Sequence, residues 1–100
     1  MLGKSKNKIE FIEFLQKHKK LPTPNRLAAF DMACKMEGYF SIKELRKELK
    51  KTGLKSSTNG VWYWCKLLSW AGVITKVAVE HPSEGLVWRF TTNIEELEEV

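Results

Sequence analysis

The chain has 100 residues, of which 43% are apolar, and a formal net charge of +5. That is enough to close one hydrophobic core and hardly two, so a single domain without an internal linker is expected. No run of about 18 apolar residues exists and the charged start M-L-G-K-S-K-N-K lacks the apolar centre of a signal peptide, which excludes a membrane-spanning helix and points to a cytoplasmic protein.

The first helix is expected within Lys4 to Lys20, where Ile9, Phe11, Ile12, Phe14 and Leu15 give a broad apolar face. Lys17, Lys19 and Lys20 gather in its last turn, where cations suit the helix dipole. Leu21-Pro22-Thr23-Pro24 is a start signal. Thr23 can cap, and Pro24 fits the first helical position because its missing N–H was unbonded there in any case. The second helix should run from Pro24 to about Met36, with Leu27, Phe30, Ala33 and Cys34 on its buried line, and Glu37-Gly38 should stop it.

Tyr39-Phe40 reads as a very short extended piece. Ser41 and Glu44 then match a capping box, in which each side chain satisfies the other residue's backbone N–H. The third helix ends near Lys51. Ile42, Leu45 and Leu49 face inward, while Lys43, Arg46, Lys47, Lys50 and Lys51 make it the most basic element. Thr52 to Ser56 has the length of a helix-turn-helix connection, with Gly53 available for a positive φ.

Ser57 to Gly72 reads as a fourth helix that buries one side and offers the other. At ~100° per residue, Val61, Cys65, Leu68 and Gly72 fall on one line, and Asn59, Tyr63, Lys66 and Trp70 point the other way. Ser57 can cap its start, and Gly72 can end it in a left-handed conformation. Strands are expected at Val73 to Val79 and Leu86 to Thr91, with His81 to Gly85 as the loop between them. In the second strand Leu86, Trp88 and Phe90 alternate with Val87, Arg89 and Thr91, the period of a half-buried hairpin. Asn93 to Val100 carries four glutamates and reads as a short acidic helix or a frayed tail.

Helices, a short strand, a helix-turn-helix and a terminal hairpin, in that order, spell a winged helix of the mainly α, α+β class with three to four helices. The expected parts are a helix and connector over 1–22, the winged-helix core over 23–91 and an acidic tail over 92–100.

The order of elements and three stretches resemble the amino-terminal DNA-binding domain of the ferric uptake regulator family of metal-dependent repressors. These stretches are T-P-N-R-L-A-A-F from Thr23, E-G-Y-F-S-I-K-E-L from Glu37, and the helix end L-L-S-W-A-G-V-I at Ile74. They lie within about half of the chain, and the resemblance implies a winged-helix fold and DNA binding. It departs on the fourth helix, where the family's Tyr-Arg pair falls on Trp62 and Tyr63, so the arginine is gone. The family's dimerisation domain, with its metal ligands and Cys-x-x-Cys pair, has no counterpart after Val79, so metal sensing does not transfer.

Chemistry-bearing residues are sparse. Cys34 and Cys65 each fall on the apolar side of a predicted helix without metal-ligand spacing, which predicts buried thiols in a reducing compartment. His18 and His81 have no partnering acid or nucleophile pattern, and no Gly-rich phosphate loop is present. Neither catalysis, a cofactor nor a functional metal is expected.

Charge is uneven. Residues 1–55 hold 14 Lys and Arg against 6 Asp and Glu, whereas residues 56–100 hold 3 against 6. The first reading is therefore a transcriptional regulator that places the helix 57–72 in the major groove of double-stranded DNA. Arg26, Lys43, Lys47, Lys55 and Lys66 would serve the phosphates, and Ser57, Asn59, Trp62 and Tyr63 would lie at the bases or backbone. Glu80 and Glu84 make the hairpin tip a poor phosphate contact, although His81 can serve when protonated. The second reading is a protein-interaction or assembly module, with a homodimer or another protein as partner, anchored by Tyr63 and Trp70 with Trp62 beside them.

Overall fold

The computed structural model describes residues 8–92 of the chain. Four helices precede a two-stranded hairpin: α1 (Lys8–Lys17), α2 (Pro24–Lys35), α3 (Ile42–Lys51), α4 (Thr58–Trp70), β1 (Ile74–His81) and β2 (Gly85–Thr92). This is a winged helix. Lys4 to Asn7 of the expected first helix and the expected acidic helix or tail lie outside the described residues.

The helix boundaries follow local chemistry. Thr23 accepts a hydrogen bond from the Arg26 N–H at 3.3 Å with Pro24 at the first helical position. Ser41 and Glu44 close the expected capping box, at 3.1 Å from the Glu44 N–H to the serine and 2.8 Å from the Ser41 N–H to the glutamate. Ser57 caps α4 by accepting from the Gly60 N–H at 3.0 Å. Gly53 and Gly72 adopt φ of 91° and 85°, the left-handed turns that release the chain from α3 and α4. The α3–α4 connection is further held by the Arg46 Nε–H, which donates to the Ser56 carbonyl at 2.9 Å. A residue counted among the basic face of α3 thus has a structural task.

Phe11 and Leu15 of α1, Ala29, Phe30 and Ala33 of α2, Leu45 and Leu49 of α3, and Val61, Cys65, Leu67 and Leu68 of α4 form one core, continued by Phe40, Val73, Ile74 and Phe90. Phe11 stacks on Phe30 at 5.1 Å between ring centroids. Two expectations, one for a buried line and one for a helix end, are corrected. Cys34 is exposed, because Ala29 takes the buried place on α2 and turns the inward arc away from position 34. Lys19 and Lys20 lie beyond α1, which ends at Lys17.

The hairpin is antiparallel, from Ile74 opposite Thr92 to His81 opposite Gly85; β1 starts one residue later and ends two residues later than the sequence pattern marks, and β2 is one residue longer at each end. Phe40 pairs with Phe90 through two hydrogen bonds of 2.8 Å, so the short extended piece before α3 adds a third edge. The Thr92 hydroxyl is buried and donates to the Ala33 carbonyl at 3.0 Å, tying the base of the wing to the end of α2.

The outer half of the wing corrects the burial phase. Phe90 is buried, yet Leu86 and Trp88 on the same face are 71% and 61% exposed. Their cross-strand partners on that face are Glu80, Ala78 and Lys76, which supply no apolar cover. Val77, Val79, Val87 and Arg89 on the opposite face are the half-buried ones.

Candidate functional site

The outward surface of α4 runs along Asn59, Trp62, Lys66 and Trp70, all exposed. Tyr63 does not belong to it. Its side chain is half-buried against the core, and the Arg26 guanidinium lies 5.6 Å from its ring centroid. The reason is Leu67, which is buried on the Tyr63 side of the Val61–Cys65–Leu68 line and rotates the inward arc by about 40°. The point farthest from the core is then Lys66, with Trp62 on one side of it and Asn59 and Trp70 on the other.

Trp62 is 47% exposed, and the Lys66 ammonium lies 5.4 Å from its ring centroid. Such a pairing keeps the cation next to the indole face without neutralising it. Asn59 stands in the first turn of α4, where the capped N-terminus carries partial positive charge. Trp70 remains 55% exposed but rests on α1, edge-on to Phe14 at 5.2 Å and against His18 at 4.3 Å. One side of its indole is therefore structural.

On α3, Lys43, Lys47 and Lys50 share the face opposite Leu45 and Leu49 and are exposed. Lys43, Lys47, Lys55 and Lys66 have no carboxylate partner among the described residues; the ion pairs there are Lys8–Asp31 and Lys51–Glu48. The expected site residues thus divide. Trp62 and Lys66 are brought together, as are Arg26 and Tyr63, whereas no side-chain bond joins Lys43, Lys47 or Lys55 to α4. Arg26 also donates to the Leu21 carbonyl at 2.7 Å, so its guanidinium braces the start of α2 against α4. Ser57 is exposed, with its oxygen already accepting the cap bond.

Between α4 and the wing lies a cleft of about 210 Å³, lined by Trp62, Lys66, Ser69, Lys76 and Phe90. The Lys76 ammonium lies 4.7 Å from the Trp88 ring centroid. Sequence reasoning passed over Lys76 and Trp88. The signal was present in the first strand, where Lys76, Ala78 and Glu80 alternate as poorly apolar residues and mark that face of the hairpin as open. At the wing tip His81 Nδ1 accepts from the Ser83 N–H at 3.1 Å, an acceptor role that a protonated ring cannot fill.

Burial pushes the Cys65 thiol up to about 12, which makes it a packing residue rather than a nucleophile. Among the described residues no three His, Cys, Asp or Glu side chains converge on a metal-sized space, and no helix there is long and apolar enough to cross a membrane.

No family model and no curated protein matches the sequence. The fold is similar to that of the Vibrio cholerae ferric uptake regulator, whose crystal structure describes a rearrangement of its DNA-binding domains. The TM-score is 0.61 at 20% identity, over 82% of this chain and 60% of that one. The likeness meets, as a fold, the resemblance carried by the Thr23, Glu37 and Leu67 stretches. This chain spans about 60% of the solved regulator's length.

Proposed function

We propose that this protein is a DNA-binding regulator that lays α4 in the major groove of double-stranded DNA. The observation that carries the reading is the exposed Asn59–Trp62–Lys66 stripe on the fourth helix of a winged helix, with unneutralised lysines on the preceding helix. An amide can bond an adenine edge through two atoms, and an indole offers apolar contact to a thymine methyl. Lys43, Lys47 and Lys55 contribute phosphate contacts that set affinity but carry no sequence information. The similar fold of a regulator described as having DNA-binding domains supports the same reading.

Arg26 and Tyr63 act here as positioning residues. Their contact fixes α4 relative to the start of α2, while Trp62 takes the groove position first considered for Tyr63. The test is selection of preferred duplexes from a random pool, followed by the double variant Asn59→Ala/Trp62→Ala. Preference should fall by about 1 to 3 kcal/mol per lost base contact, with non-specific affinity nearly constant. Preference retained in the double variant removes α4 from the groove.

A second reading is favoured by one observation, the exposed apolar area of Trp62, Trp70, Trp88 and Leu86. It makes the aromatic surface a protein anchor, without Tyr63. The same double variant then leaves duplex affinity unchanged and abolishes a dimer or partner complex.

A further inference from the structure

The cleft between α4 and the wing has features that the groove contact does not use. Phe90, only 5% exposed, forms an apolar lining at its base, and the half-exposed Trp62 indole stands at its side. Lys66 and Lys76 enter it from two different elements, α4 and β1. Each ammonium is held beside an indole, Trp62 at 5.4 Å and Trp88 at 4.7 Å, and neither has a carboxylate partner among the described residues. The wall also includes Ser69, whose hydroxyl is buried without a hydrogen-bond partner among the described residues.

Volume sets the size of an occupant, and charge sets its kind. A dry cavity of about 150 Å³ takes benzene, so the about 210 Å³ of this cleft suits one ring with a short arm. Two ammoniums beside an apolar lining favour an anion with an apolar body. The body removes Phe90 and the indole from water, and the charge stays with the lysines. A neutral molecule of the same shape gains the burial alone, and a cation meets like charge. A compact hydrophilic anion leaves the apolar lining wet.

We propose that this cleft binds a small organic carboxylate whose body is a single aromatic ring or a branched aliphatic group of similar size. The body lies against Phe90 and Trp62. The carboxylate accepts from Lys66 and Lys76 through its two oxygens, which the flexible four-carbon stems of the lysines bring within reach. Ser69 is a further donor on the same wall.

The binding stands on the cleft alone; its consequence rests on the groove reading above. An occupant covers Trp62 and neutralises Lys66, both on the DNA-facing stripe, so ligand and duplex compete.

The test uses 3-phenylpropionate and two probes with the same body, the neutral 3-phenylpropanamide and the cationic 3-phenylpropylamine, all at constant ionic strength. Indole N–H resonances are recorded on ¹⁵N-labelled full chain, with Trp62 assigned from Trp62→Phe. The expected result is a saturable shift of the Trp62 resonance by 3-phenylpropionate, with Trp64 stationary and a dissociation constant of roughly 1 mM or tighter. The amide should bind about fivefold more weakly, and the amine more weakly still. Lys66→Gln and Lys76→Gln should each weaken the carboxylate by about fivefold and leave the amide unchanged. A Trp62 resonance that stays in place up to about 10 mM 3-phenylpropionate overturns the proposal. So does an amide that binds as tightly as the carboxylate, or a carboxylate affinity that survives both lysine changes. Mixed duplex DNA is then titrated with and without 3-phenylpropionate. Duplex affinity should fall about tenfold at a ligand concentration about ten times its dissociation constant. A saturable Trp62 shift with duplex affinity unchanged, or with no duplex binding at all, upholds the cleft and counts against α4 in the groove.

Discussion

The Arg26 guanidinium and the Tyr63 ring, 5.6 Å apart, join the first turn of α2 to the middle of α4. Because Tyr63 is half-buried against the core as well, its truncation removes packing and a cation–π contact together. Tyr63→Ala should lower stability by about 1 to 3 kcal/mol, and Arg26→Ala by about 1 kcal/mol, in urea denaturation. A Tyr63→Ala protein as stable as the parent would return that ring to the outer surface.

The base of the wing depends on a buried bond between distant residues. Thr92 Oγ1 donates to the Ala33 carbonyl at 3.0 Å, and a valine of the same shape removes that bond while the carbonyl keeps the Met36 N–H at 3.2 Å. Thr92→Val should cost about 0.5 to 1.5 kcal/mol, read from thermal or urea unfolding. Amide exchange should also quicken in β1 and β2 before it does in the helices.

The two thiols should separate by reactivity. Cys34 is exposed and Cys65 buried, with burial raising the Cys65 pKa from 9.0 to about 12. A disulfide reagent at neutral pH should modify one thiol per native chain and two in denaturant. The pH dependence follows from the sign of the shift. Below pH 9.0 the Cys65 thiol is protonated in both folded and unfolded chains and has no effect on the balance. Between about 9 and 12 only the unfolded chain loses that proton, so this group makes stability fall as pH rises. A Cys65→Ala protein should lack that part of the alkaline loss.

Much of the fold was legible because its boundaries are local chemistry. Thr23-Pro24, the Ser41–Glu44 box, Ser57 and the two turn glycines each act within four residues of themselves. What sequence periodicity misjudged were the edges of buried arcs, which neighbouring elements set. Cys34 and Tyr63 sit at such edges, and Ala29 and Leu67 decided both. The wing failed for a related reason: alternation shows that Leu86, Trp88 and Phe90 share a face, but only the partner strand shows whether that face is covered. In the candidate site, Trp62 and Lys66 were visible as residue types on an outward arc. The cleft they share with Lys76 and Phe90 joins residues from two elements whose packing no spacing rule encodes.

The lysines of α3 should act without regard to sequence. Lys43→Ala/Lys47→Ala should weaken binding on all duplexes alike and flatten the salt dependence by about one to two units of slope. Both side chains are exposed and free of carboxylates among the described residues, so stability should change by less than about 0.5 kcal/mol.

The central claim, binding of duplex DNA through α4 with lysine contacts to phosphate, is tested most directly by fluorescence anisotropy on a mixed-sequence duplex as salt is raised. Four phosphate contacts from Lys43, Lys47, Lys55 and Lys66 predict a linear fall of log K with log salt at a slope of about −3 to −4. Absence of binding at low salt, or an affinity that salt does not change, would contradict it.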